Sequence, residues 1–215
     1  KKLGFRHFLE QLDKEKELTR IRKEVSTEYE LAGIIEALEE KPAFFENVKD
    51  SDIPVVCGLV SSKELVAKAL NVEKERLLHR LSDAIEMPLP LPEVVKKGEC
   101  QQTVERGVDL ARLPLMKYTQ RDGGIYVASG AAIIRDPELG RNMCFHRLML
   151  VDKNKFVARI VEERGTDTAL KKAGGELEIA ICIGNSTLFA SWKIVGSLGI
   201  PINSLCSFLP ASIVW

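Results

Sequence analysis

The chain lacks net charge. Thirty-one lysines and arginines balance thirty-one aspartates and glutamates over 215 residues. A neutral balance leaves no broad electrostatic footprint for nucleic acid or for an anionic membrane, so any anion site must be local. Paired cysteines are also lacking. The five present, Cys57, Cys100, Cys144, Cys182 and Cys206, are odd in number and none has metal-ligand spacing to another. That argues against a disulfide framework and a structural zinc site, and it favours a reducing compartment such as the cytoplasm. The start, Lys1-Lys2-Leu3-Gly4-Phe5, runs into a charged helical pattern without the apolar core of a secretory signal. There is no glycine-rich phosphate loop, no Ser-His-Asp order, no HExxH and no internal repeat.

What is present is a hydrophobic content of 45%, enough for one large domain or two modest ones. The segment from Ile194 to Trp215 carries no charge, but four serines, Asn203, Pro201 and Pro210 interrupt it. That pattern argues against stable membrane insertion and for a buried segment or one without its natural continuation.

The first half alternates helix and strand patterns, as an α/β domain does. Phe5, Phe8, Leu9 and Leu12 keep helical spacing, and Thr19 to Val25 alternates as a strand. Thr27 and Glu30 are placed as a capping box for a helix with the stripe Tyr29, Leu31, Ile34, Ile35 and Leu38. Ala43 to Glu46 and Pro54 to Val60 read as strands. Ser61 and Glu64 cap a helix carrying Leu65, Val66, Ala69 and Leu70, and another helix spans about Val72 to Ile85. Pro88, Pro90 and Pro92 then make an extended connector. A domain boundary is expected near Arg112 to Lys117.

The second half reads mostly as strands joined by short turns. Ile125 to Arg135 and Asn142 to Val151 are strands about the turn Asp136-Pro137-Glu138-Leu139-Gly140. Asp152-Lys153-Asn154 is a tight turn with Asn154 suited to the left-handed conformation, and Phe156 to Val161 is the next strand. Thr166 to Ala173 is a short helix, and Leu177 to Ile183 a last strand.

Two arginines stand out. Arg147 shares a strand face with Met143, Phe145, Met149 and Val151, and Arg159 shares one with Val157 and Val161. A three-residue loop pairs Val151 with Lys155 and sets Arg147 opposite Arg159. Like charges facing each other across strands are destabilising, and burying an unpaired charge costs several kcal/mol. An anion between the guanidinium groups resolves both, with phosphate and carboxylate the natural ligands. The other reading gives each arginine a structural carboxylate, such as Glu162, Glu163 or Asp136. Nearby, Asn142 offers a carbonyl oxygen of the kind hard divalent metals accept. His146 donates a hydrogen bond or packs, while Cys144 reads as a small core residue without a partner. His7 and His79 lie on polar helices.

Over about residues 3 to 190 the chain resembles the UbiD-type decarboxylases. The resemblance rests on Phe5-Arg6-His7-Phe8-Leu9, Phe44-Phe45-Glu46-Asn47-Val48, Val108-Asp109-Leu110-Ala111-Arg112-Leu113-Pro114, Asp122-Gly123-Gly124 and Arg135-Asp136-Pro137-Glu138-Leu139-Gly140-Arg141-Asn142. Most specific is Asn142-Met143-Cys144-Phe145-His146-Arg147, which resembles the family motif N-x-[GS]-x-x-R.

The resemblance implies a fold: an N-terminal α/β domain over residues 1–113, then the first part of a flavin reductase-like split β-barrel over 114–190 (α/β or α+β overall). Residues 191–215 form an apolar tail that departs from the family. It implies prenylated FMN and a divalent metal, manganese in the usual case, with Asn142 as a metal ligand. Phe145, His146 and Arg147 would line the cofactor, and Arg147 would be the catalytic arginine holding the substrate carboxylate. Arg159, Ile160 and Val161, and then Arg164 and Gly165, would be further cofactor contacts. The implied reaction removes CO2 from an aromatic or α,β-unsaturated carboxylic acid. A flavin prenyltransferase would supply the cofactor, and the protein would form a homo-oligomer.

Two carboxylates of the family pattern are missing. The second metal-ligand glutamate should follow Ile183-Gly184, but the chain reads Pro201-Ile202-Asn203-Ser204-Leu205 there. The catalytic Asp or Glu would come later still. The expectation is a truncated or frame-shifted chain, inactive alone. The alternatives are a flavin-binding or oligomerising member of the same fold without turnover, and a reductase-like oxidoreductase using ordinary FMN.

Overall fold

The computed structural model describes residues 4–39, 41–86, 101–127 and 129–184. The proline connector and the uncharged tail lie outside the described residues.

The first helix, α1 (Phe5–Lys14), buries Phe5, Phe8, Leu9 and Leu12, the stripe expected from their spacing. It is followed by β1 (Thr19–Ile21), α2 (Glu30–Ala37), β2 (Ala43–Phe45) and β3 (Val55–Cys57). β1 runs parallel to β2, and β2 antiparallel to β3. Leu31, Val25, Ala43, Phe45 and Val48 form one core on this sheet, with Ile34, Ile35 and Leu38 packed against it. α3 (Lys63–Leu70) adds Leu65 and Ala69 to the core around α1. A 3-10 turn over Lys74–Arg76 then leads into α4 (Leu77–Glu86).

Two caps differ from expectation. Tyr29, just before α2, has φ 67°, so the chain enters that helix through a left-handed residue instead of an extended Thr27 cap. Glu30 reaches back to the Ser26 N–H at 2.9 Å. For α3 the capping side chain is Ser62, one residue later than expected, and its Oγ accepts from the Leu65 N–H at 3.2 Å.

Residues 113–117 join the two halves. Leu113 and Leu115 belong to the core of the second half, while Met116 packs into that of the first. The Lys117 N–H donates to the Thr27 carbonyl at 3.1 Å, and the Tyr29 N–H to the Lys117 carbonyl at 3.0 Å.

The second half holds two three-stranded sheets. One has the order β4 (Tyr126–Val127), β7 (Leu148–Asp152), β8 (Lys155–Ala158). The other has the order β6 (Gly140–Phe145), β5 (Ala131–Asp136), β9 (Ile179–Cys182). The strands expected at 125–135 and 142–151 are therefore each divided. Val127 pairs with Leu148 in one sheet, and Ala131 with Phe145 in the other. Both segments leave one sheet and enter the next at the same level, which makes a corner.

Gly130 explains the corner. A Cβ there would lie 2.9 Å from Val127 Cγ1 and 3.3 Å from Ile181 Cγ2, so only glycine lets the strands cross this closely. Finally α5 (Gly165–Lys172) packs on β5, with Ala169 and Thr166 buried.

Candidate functional site

The hairpin of β7 and β8 places Arg147 opposite Arg159, as the sequence pattern requires. Leu148 pairs with Ala158, and the Arg159 N–H donates to the Arg147 carbonyl at 3.3 Å. The turn that produces this differs from the expected one. Asp152 pairs with Lys155 across Lys153 and Asn154, and neither of these takes a positive φ. Such a turn splays its strands, and a bulge at Val151 takes up the mismatch and restores the register.

The face is also different. Leu148, Leu150, Phe156 and Ala158 point into the core with Leu115 and Val127. Arg147 and Arg159 lie on the opposite face and are exposed, as is Val157 at 53%. The cost of burying an unpaired charge therefore does not apply to them. The structural-carboxylate reading does not hold either. Among the described residues no carboxylate lies within 4.0 Å of Arg147, Arg159 or Arg164. Asp136 is occupied elsewhere: its Oδ1 accepts from the Glu138 and Leu139 N–H groups and faces Lys172 at 3.8 Å. The Arg147 guanidinium instead lies over the Tyr126 ring, 5.8 Å from its centroid.

β6 divides the other site residues between its two faces. Met143 and Phe145 pack on Ala131 and Ile133. Asn142 and Cys144 point the other way, where Asn142 meets α5: a Cβ on Gly165 would lie 2.9 Å from Asn142 Nδ2. Asn142 Oδ1 accepts from the Met143 N–H at 2.8 Å. The structure thus brings Asn142 to Gly165 and His146 to Thr166, the next residue of α5, while Phe145 packs in the cluster of Ala131 and Met143. Ile160 is half-buried and Val161 exposed beside Arg159. Arg164 precedes α5, whose start carries no side-chain cap. Helix N–H groups without caps favour an anion.

One feature escaped the sequence pattern. Cys144, expected to be without a partner, has its Sγ 3.0 Å from His146 Nε2 and 3.1 Å from Thr166 Oγ1. The remaining edge, His146 Nε2 to Thr166 Oγ1, is 2.9 Å. Nothing local in the sequence marks Thr166, a threonine twenty residues beyond His146, as its partner. Burial pushes the Cys144 thiol up, against a smaller opposing effect of the Thr166 hydroxyl, so it stays a thiol at neutral pH. Burial also pushes His146 down, with the Arg159 backbone carbonyl opposing, so its imidazole is neutral.

Asn142 is one hard oxygen donor, and no cluster of three His, Cys, Asp or Glu residues suited to a metal occurs among the described residues. Nor, among the described residues, is any helix long and apolar enough to cross a membrane.

Fold and site together define a mixed α–β protein with an arginine-bearing hairpin whose leading residue, His146, is hydrogen-bonded to the first turn of α5. The chain belongs to the UbiD family of carboxy-lyases. Residues 9–85 match its 3-octaprenyl-4-hydroxybenzoate carboxy-lyase N-terminal domain, and residues 93–195 the Rift-related domain. Anhydromevalonate phosphate decarboxylase of Methanothermobacter thermautotrophicus is 36% identical over 205 residues, which are 93% of this chain and 46% of the relative. The UbiD-class enzyme HmfF of Pelotomaculum thermopropionicum, solved in complex with prFMN, is 32% identical with a TM-score of 0.79, covering 85% of this chain and 44% of its own. Vanillic acid decarboxylase of Sedimentibacter hydroxybenzoicus in its closed form is 26% identical with a TM-score of 0.79, covering 93% and 49%. This chain spans about half the length of these relatives.

Proposed function

We propose that this chain forms the cationic, cofactor-cradling part of a prenylated-FMN decarboxylase acting on an aromatic or α,β-unsaturated carboxylic acid. The observation that carries the reading is three arginines without a carboxylate partner among the described residues: Arg147 and Arg159, opposite each other across the β7–β8 hairpin, and Arg164 at the start of α5.

In this reading Arg147 holds the substrate carboxylate through its planar fork of N–H donors. Arg159 and Arg164, with the first N–H groups of α5, hold the flavin phosphate. Gly165 leaves the space that Asn142 needs, and Asn142 supplies one oxygen to a divalent metal, manganese by family analogy. His146, Ile160 and Val161 line the flavin, and Phe145 supports that wall from behind. When bound, the prenylated flavin supplies the electron sink for loss of CO2. Residues 1–113 and 114–190 act as separate domains. Supply of cofactor by a flavin prenyltransferase, assembly as a homo-oligomer and a cytoplasmic location belong to the same proposal.

A second reading, flavin binding or oligomerisation without turnover, is favoured by one observation: the segment Pro201-Ile202-Asn203-Ser204-Leu205 carries no acid where the family pattern has a glutamate. FMN titration of the 215-residue chain, followed by flavin fluorescence, tests both. Binding that weakens in Arg159→Gln and Arg164→Gln supports the flavin site, and absence of binding overturns it. Decarboxylation by this chain when co-expressed with a flavin prenyltransferase would overturn the reading without turnover.

A further inference from the structure

Arg147 is exposed and meets no carboxylate among the described residues. A long side chain left loose in this way spreads over many rotamers, and gripping an anion then costs that freedom. What stands beside it is the Tyr126 ring, 5.8 Å from the guanidinium carbon. The direction of the guanidinium therefore depends on what fixes the ring.

Tyr126 lies directly opposite Met149, and Met149 directly opposite Val157. The three form one row on the sheet face that carries Arg147, two residues before Met149. The turn Asp122-Gly123-Gly124 folds down on this row. A Cβ on Gly124 would lie 3.1 Å from both Cγ and Sδ of Met149. One on Gly123 would lie 3.6 Å from the Tyr126 hydroxyl oxygen, an ordinary contact. Neither glycine has a positive φ, so the backbone conformation does not call for glycine at 124 and the lack of space does.

The turn has little freedom to lift away. Asp122 Oδ2 accepts from the Tyr118 N–H at 3.1 Å and from the Thr119 N–H at 2.9 Å. At its other end the Tyr126 N–H donates to the Met116 carbonyl at 3.1 Å, and the Leu150 N–H to the Ile125 carbonyl at 3.0 Å. A side chain at 124 must then be accommodated by Met149, an unbranched side chain that moves readily and has the Tyr126 ring as its cross-strand neighbour.

We propose that Gly124 is a positioning residue for Arg147: its bare backbone leaves Met149 its place, and an undisplaced Met149 leaves the Tyr126 ring beneath the guanidinium. That Arg147 grips a carboxylate rests on the reading above; that Gly124 sets where its guanidinium lies does not.

The experiment is NMR of the arginine side chains in the 215-residue chain, with calorimetric titration of benzoate alongside. An aromatic face shifts the signals of protons above it upfield, and Arg147→Lys assigns the Arg147 Cδ–H signals. The native chain should show them shifted upfield, and Tyr126→Leu should abolish the shift. Gly124→Ala should lose most of it and weaken benzoate binding about two- to fivefold, the whole worth of the ring contact. Gly124→Ala combined with Met149→Ala removes both atoms that the new Cβ meets and should restore the shift and the binding. Met149→Phe crowds the same spot from the other side and should lose the shift as Gly124→Ala does. Gly123→Ala, which makes only an ordinary contact, should leave it unchanged. A Gly124→Ala chain that keeps the shift, a double variant that fails to restore it, or an equal loss in Gly123→Ala overturns the proposal. If the native chain binds no benzoate, the carboxylate reading falls, while the arginine signals still decide the role of Gly124.

Discussion

The Arg147 guanidinium carbon sits 5.8 Å from the centroid of the Tyr126 ring, on the outward face of the β4–β7–β8 sheet. Tyr126 pairs with Met149, two residues along the strand from Arg147, so the contact is a diagonal one that the register imposes. The ring face attracts the cation and limits the directions in which its fork can point. At a solvent-accessible site such a contact contributes about 0.5–1 kcal/mol. Tyr126→Leu should therefore weaken binding of an aromatic carboxylate about two- to fivefold, and Tyr126→Phe should not. Calorimetric titration with benzoate checks this, and equal losses in both variants would show that the ring face is not what matters.

Gly130 should tolerate no side chain. Alanine there must displace Val127 Cγ1, held on a stiff β-branched residue within the core. The expected loss is about 1–3 kcal/mol, as for other overpacked sites, measured by urea unfolding. Because the corner sets where His146 and Arg147 stand, FMN binding should fall with it.

Gly165 should behave in the opposite way. Its φ is not positive, and alanine is the better helix former, so Gly165→Ala should leave stability unchanged or slightly raised. The added Cβ meets Asn142 Nδ2 at 2.9 Å and must push that amide aside. Manganese-dependent enhancement of FMN binding should be lost while the unfolding midpoint stays. Retention of that enhancement would remove Asn142 from the metal site.

Acidification should reduce stability in two separate windows. His146 is held by burial below the ordinary histidine value of about 6.5, so the unfolded chain takes up the proton first. Its contribution is complete above about pH 6.5 and is lost as pH falls through the lower folded value. Asp136 is held below the ordinary aspartate value by the Leu139 and Glu138 N–H groups, with Lys172 adding to them. Its contribution is complete above about pH 3.9 and is lost below that. Unfolding free energy measured against pH should show a shallower upper slope in His146→Asn and a shallower lower slope in Asp136→Asn. A native slope surviving in either variant would assign that window to another group.

Much of the fold was legible in local pattern. The stripes of α1 and α2 and the opposition of Arg147 to Arg159 are consequences of 3.6 and 2 residue periods. The register survived a different turn because the bulge at Val151 added back the residue that the shorter loop removed. The caps were less legible, since Thr27, Ser61 and Ser62 offer equivalent hydroxyls and backbone φ chooses among them.

By itself the amino-acid sequence determined the family, through the run from Asn142 to Arg147 and the ordered segments around it, and it determined which residue types stand next to one another along each strand. Only the tertiary structure decided that Arg147 faces outward, that two long strands break at Gly130 and His146 to change sheets, and that Thr166 closes a triangle with Cys144 and His146. The reason is range. Periodicity is written in a residue's near neighbours, whereas the face a strand turns inward depends on what packs against it. A hydroxyl on a helix twenty residues downstream becomes a partner only once the sheet has folded beneath it.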